Sequence, residues 1–154
     1  AWENFVKIIP RQCIMVNDLS LYEVESVYQM RSALTTLESE LAAANRTQKE
    51  LGQLRENIER LRIETDPERR VLLDREFHRT ISSMTKNPFL EAAMNNYQDL
   101  SMRLIFVNRV SLSSIDDMDV RHHEEIYRLI RVQDSEGLCR AQKKHVQDFK
   151  AKFI

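Results

Sequence analysis

Twice in this chain an acceptor side chain stands directly before proline, at Asp66-Pro67 and Asn87-Pro88, and no other glycine or proline lies between the two pairs. Such a side chain can cap the free N–H groups of a first helical turn, and proline is preset for the first helical position. The two pairs therefore open one helix at Pro67 and another at Pro88. With only 2 Gly and 3 Pro in 154 residues, little interrupts helix elsewhere. Abundant Leu, Glu, Arg and Ala point the same way. The expected class is all-α, and the length suits a single domain with its own core.

The remaining start signals complete a set of six helices. Ser20-Leu-Tyr-Glu23 and Thr47-Gln-Lys-Glu50 are capping boxes, a hydroxyl followed three residues on by Glu. The first opens a helix to about Ala44 with Val24, Val27, Arg31, Leu34 and Leu41 inward. The second opens a helix whose Leu51, Leu54, Ile58 and Leu61 form the stripe. The helix from Pro88 runs to about Ser111, with Ala93, Tyr97, Leu100, Leu104 and Val107 inward. Ser114 opens a fifth helix with Ile126 and Ile130 buried. Asp134 caps a sixth carrying Leu138, Ala141, His145 and Phe149. Short connections favour an antiparallel bundle. Residues 1–19 are apolar without periodicity and contain Pro10, so they read as an extended or irregular linker ahead of a domain spanning 20–154.

Charge and cysteine usage exclude several functions. With 23 basic against 24 acidic residues, nothing attracts nucleic acid or an anionic membrane directly. No apolar run approaches a membrane span. Cys13 and Cys139 are too few for a disulfide framework and read as reduced thiols of a cytoplasmic protein.

The chemistry concentrates in the third helix. Val71, Asp74, His78 and Ile81 share one stripe, so a face that should be apolar carries a carboxylate and an imidazole one turn apart. A buried carboxylate costs several kcal/mol (roughly) unless it is compensated. His145 is inward on helix six and His123 is in register with Ile126 and Ile130, whereas His122 is one step round, toward solvent or a neighbour. Three inward histidines and Asp74 suit a divalent ion, zinc first, with nickel, iron or manganese as alternatives. A lone inward histidine is more often a hydrogen-bonded core residue, and a metal-free helical module is the reading that competes. A metalloenzyme fits less well, because Arg75 and Glu76 flank the stripe and face outward, leaving no general base beside it.

The runs YQMRSALTTLESELAAANRT, DREFHRTISSMTKNPFLEAAM and HHEEIYRLIRVQDSEGLCRAQKKHV together resemble the FCD domain. This is the C-terminal effector-binding domain of the FadR-like branch of the GntR family of bacterial transcription regulators, and the resemblance covers about residues 20–150. Six helices look more like its VanR-type subgroup. The resemblance implies a divalent metal held by Asp74, His78, His123 and His145, and a carboxylate effector met by Arg31, for which a structural ion pair with Glu38 or Asp99 is the competing reading. Arg103 on helix four is a candidate second anion contact, with a solvated surface Arg as its competing reading. The resemblance also implies a homodimer without enzymatic activity, and DNA binding through a separate N-terminal winged helix that this chain lacks. The family often has Leu-Glu where this chain has Leu34-Thr35, so an early acid is absent.

Overall fold

The computed structural model describes residues 6–9, 13–16, 21–107 and 120–151, and side chains for 23–103, 120–148 and 151. Six helices follow one another: α1 (Leu21–Asn45), α2 (Gln48–Ile63), α3 (Pro67–Met84), α4 (Pro88–Val107), α5 (Val120–Arg131) and α6 (Ser135–Lys150). Ahead of them β1 (Val6–Ile9) and β2 (Cys13–Val16) pair antiparallel, Val6 opposite Val16 and Ile9 opposite Cys13. The lead-in, expected to be extended or irregular, thus contains two paired extended strands. Its runs VKII and CIMV are short and β-branched, which suits strands.

Side-chain caps set where the helices begin. Thr47 and Glu50 exchange both bonds of a capping box, with Glu50 N–H donating to Thr47 Oγ1 at 3.2 Å and Thr47 N–H to Glu50 Oε2 at 2.9 Å. Asp66 Oδ1 accepts from the N–H groups of Glu68 and Arg69 at 2.9 and 3.2 Å. Asn87 Oδ1 accepts from Phe89 and Leu90, both at 3.1 Å. Asp134 Oδ1 accepts from Gly137 at 2.8 Å. The expected starts at Ser20 and Ser114, and the stretch of α4 beyond Val107, lie outside the described residues. The turns into α4 and α6 each use a left-handed residue that is not glycine, Lys86 (φ 55°) and Gln133 (φ 60°). Such a residue costs about 1–3 kcal/mol, and tertiary bonds offset it. Lys86 pairs with Glu50, and the Gln133 amide donates to the Ala43 carbonyl at 3.0 Å.

Helix α1 is the central element. It packs most extensively on α6 and also meets α3, α4 and α5, while α2 covers α3 and α5. The apolar core joins Leu54 and Ile58 of α2, Phe77 and Ile81 of α3, and Ile126 and Ile130 of α5. Each such side chain contributes roughly 1.5–3 kcal/mol on burial.

The other side of α1 departs from expectation. Leu34 and Leu41 are only partly buried, and the inward positions are Thr35, Glu38, Ser39 and Ala42. On α4 the inward residues are Leu90, Met94, Gln98 and Ser101, one step round from Ala93, Tyr97 and Leu100. On α6, Gln142 and Val146 are buried where Ala141 and His145 were expected to be deepest. The physical reason is common to all three helices. They enclose polar groups that satisfy one another, as when Gln142 Nε2 donates to Ser39 Oγ at 3.1 Å, so the most apolar face is not the inward one. The side chains of Leu104, Val107 and Phe149 lie outside the described residues.

Candidate metal centre and its cleft

Asp74 and His78 lie one turn apart on α3, and His123 comes to them from α5. All three are buried, His123 completely. His123 Nε2 is 3.0 Å and His78 Nε2 3.5 Å from the same oxygen, Asp74 Oδ1. One ligand atom from each residue falls within 4.8 Å of the others, a spacing that can hold a metal ion. An ionised carboxylate only accepts hydrogen bonds, so the short contact assigns a proton to His123 Nε2. His123 Nδ1 and His78 Nε2 are buried without a hydrogen-bond partner among the described residues. His78 Nε2, orphaned and facing the carboxylate beside His123 Nε2, fits a cation better than a closed hydrogen-bond network.

His145 stands next to this group. Its ring stacks on His78 with centroids 5.5 Å apart and on His122 at 4.2 Å. The tandem is thereby resolved in orientation: His123 points at Asp74, and His122 lies against His145. Phe77 closes the group from the core, its ring edge-on to His123 at 4.6 Å and to His78 at 5.7 Å.

Electrostatics follow from this geometry. Burial alone would raise the Asp74 carboxyl, but the His78 and His123 imidazoles hold it well below the usual range. Burial pushes His78 down, opposed by the Asp74 charge. His145 is driven well below its ordinary value, mainly by burial and then by His78 and His122. Two neutral imidazoles beside an ionised carboxylate are the protonation states that metal ligation requires.

A narrow cleft opens beside His78 and His145, with room for about one water molecule. Arg31 of α1 lines it and is buried, and one of its Nη1 hydrogens goes to Ser101 Oγ at 3.2 Å. Asp99, a partner considered for Arg31, is instead held by Arg75 and Arg79 at 2.7–3.1 Å. Arg103 is partly buried on α4 and is not among the described residues that line the cleft. Glu38, which sequence reasoning considered only as an ion-pair partner of Arg31, lines the same cleft and accepts from Ser82 Oγ at 2.6 Å. Burial raises its carboxyl to about 7 against the pull of Ser82 and Arg31. Gln98 and Gln142 also line the cleft and were missed. Glu38 stands seven residues from Arg31, and Ser82 four from His78. That helical spacing was the one available signal for them.

The helical fold and the buried imidazole cluster define a small all-α domain with a polar cleft beside that cluster. Residues 26–148 match the family model of the FCD domain, and the chain belongs to that family. A search of curated proteins returned no match. Among solved structures, a GntR-family transcriptional regulator from Pseudomonas syringae pv. tomato is similar, with a TM-score of 0.77 and 20% identity over 98% of this chain and 63% of that one. Escherichia coli McbR/YncC gives 0.79 and 16% over 94% of this chain and 74% of that chain. A Streptococcus agalactiae GntR protein gives 0.67 and 16% over 96% and 75%. At these identities the likeness is one of fold. No described helix is long and apolar enough to cross a membrane.

Proposed function

We propose that this chain is the effector-sensing, metal-containing domain of a GntR-type transcription regulator. The observation that carries the reading is the contact between a histidine–aspartate cluster and a cleft lined by Arg31. Asp74, His78 and His123 would hold a divalent ion, with His145 as fourth ligand from beside His78. When bound, the ion supplies a Lewis acid that takes oxygen atoms of a small carboxylate. Arg31, which lines the cleft, gives the carboxylate charge-assisted hydrogen bonds. To hold an ion through Nε2, His123 would carry its ring proton on Nδ1, which has no hydrogen-bond partner among the described residues. A carboxylate in the cleft touches α1, α3, α4 and α6 together and so biases their packing. A ligand shifts only states that it binds differently. DNA would be bound by a separate N-terminal domain, in a cytoplasmic homodimer. The solved structures of similar fold named for the GntR family support this reading.

Metal analysis of protein purified without an affinity tag tests the centre. About one equivalent of zinc or nickel per chain is expected, and less than about 0.1 equivalent after adding either ion would overturn it. Thermal shift with small carboxylates tests the sensor. Stabilisation without turnover is expected, and it should vanish in Arg31→Ala while metal content is kept. Turnover of the acid would favour a metalloenzyme instead.

A further inference from the structure

Resting on the metal-containing sensor reading, we propose that His122, not itself a ligand, positions His145 for the ion by stacking on its ring, and so sets how tightly the centre holds a divalent metal. The four prospective ligands are not equally anchored. His123 Nε2 lies 3.0 Å and His78 Nε2 3.5 Å from Asp74 Oδ1, and the Phe77 ring stands edge-on to both imidazoles. Those three donors form the group whose ligand atoms lie within 4.8 Å of one another. His145 comes from α6 and is not in that group. Its ring makes no hydrogen bond to a described residue. What holds it are ring faces, His78 at 5.5 Å with planes 25° apart and His122 at 4.2 Å with planes 15° apart.

A ligating histidine is ordinarily oriented by a partner on its second nitrogen. At His145 the face of another ring takes that part. His78 is itself a ligand, whereas His122 adds no atom to the group of three and presents the closer and more nearly parallel ring. The tandem makes this possible. Successive helical positions are turned by about 100°, so one ring of α5 goes to Asp74 and the next to His145, their planes 81° apart. Helix α5 thereby supplies one ligand and the rest against which a second, on the neighbouring α6, is held. Without that rest the His145 ring is restrained on the His78 side alone, and ordering it falls to metal binding.

Zinc affinity, measured by competition with a chromophoric chelator, tests this in a double-mutant cycle with His145. His122→Ala should weaken binding about tenfold in the unaltered chain. It should weaken binding by less than about twofold in His145→Ala, which keeps Asp74, His78 and His123 as donors. His122→Phe, which keeps a flat ring, should return to within about threefold of the unaltered chain. His122→Asn, which keeps a polar group without the ring, should stay near His122→Ala. Should His122→Ala not fold, the Phe and Asn variants carry the comparison. The same loss in both backgrounds, or rescue by Asn and not by Phe, overturns the stacking role. Unchanged affinity in His122→Ala overturns it as well and leaves the metal centre standing. A loss in His122→Ala as large as in His123→Ala makes His122 a ligand and overturns its positioning role. Failure of the unaltered chain to take up zinc removes the metal-containing sensor reading itself, and this role with it.

Discussion

Phe77 and His78 are adjacent in sequence and enter two different interiors. Phe77 is fully buried in the apolar core with Leu54, Ile58, Ile81, Ile126 and Ile130. His78 looks into a polar interior with Asp74, His145 and the cleft lined by Arg31 and Glu38. The first is stabilised by area removed from water, which needs no particular partner. The second is stable only where each buried polar atom finds a partner, and at His123 Nδ1 and His78 Nε2 none is found among the described residues. One helix therefore serves as scaffold on one side and as an incomplete ligand shell on the other.

The residue at the seam should be the most sensitive. Phe77→Ala is expected to lose about 3–5 kcal/mol in chemical denaturation, because it opens a cavity and removes the ring that backs His78 and His123. Leu54→Ala, deep in the apolar interior alone, is expected to lose about 2–5 kcal/mol and to keep its metal once refolded. A loss below about 1 kcal/mol at Phe77 would mean that the two interiors do not share that wall.

Removing a group from the polar interior should do the reverse. His123→Ala is expected to weaken zinc binding by at least about 100-fold in equilibrium dialysis, because it removes a ligand atom rather than a group that only orients one. His122→Ala, whose ring lies against His145 rather than Asp74, is expected to change it far less. If His122→Ala loses the metal and His123→Ala keeps it, the orientation of the tandem in the site is wrong.

Acid between pH 4.5 and 6.5 should act chiefly on the polar interior. His78 and His145 titrate below 6.5 in the fold, so the unfolded chain takes up protons there before the folded domain does. Their stabilising contribution is complete above 6.5 and lost as pH falls. Asp74 acts in the same sense, but only as pH falls below 3.8. Glu38 is opposite: raised from 4.5 to about 7, it stabilises fully below 4.5 and loses that contribution as pH rises through 7. Between 4.5 and 6.5 two imidazoles thus oppose one carboxyl. The metal-free domain should lose stability on acidification across that window, by at most about 1.4 kcal/mol per pH unit for each net proton. Glu38→Gln should make the fall steeper, and a shallower profile in that variant would contradict the assignment.

How much of this was legible in the sequence follows the same division. The caps at Thr47, Asp66, Asn87 and Asp134 involve residues two or three apart, and each was readable locally. So were Ile126 and Ile130, because the apolar stripe of α5 is the face that is buried. The inward positions of Asp74, His78 and His123 were legible for the same reason: they interrupt an otherwise apolar stripe. Thr35, Glu38, Ser39, Gln98 and Gln142 were not. Their burial is compensated by partners far along the chain, such as Gln142 with Ser39 or Glu38 with Ser82, and pattern reading assigns such residues to solvent. The phases of α1 and α4 were consequently read one step off where those helices face the cleft.

The smallest expected effect lies at a locally readable signal. Thr47→Ala removes the hydroxyl that accepts from Glu50 N–H, and a lost cap of this kind costs about 1 kcal/mol. Glu50 keeps its ion pair with Lys86, so the turn into α4 stays anchored. The described residues lining the cleft come from α1, α3, α4 and α6, none from α2. The variant should therefore shift the denaturation midpoint while zinc stoichiometry and the thermal shift with carboxylates stay unchanged. A change in either would show that the start of α2 is coupled to the polar interior through α3, and that the two interiors respond as one.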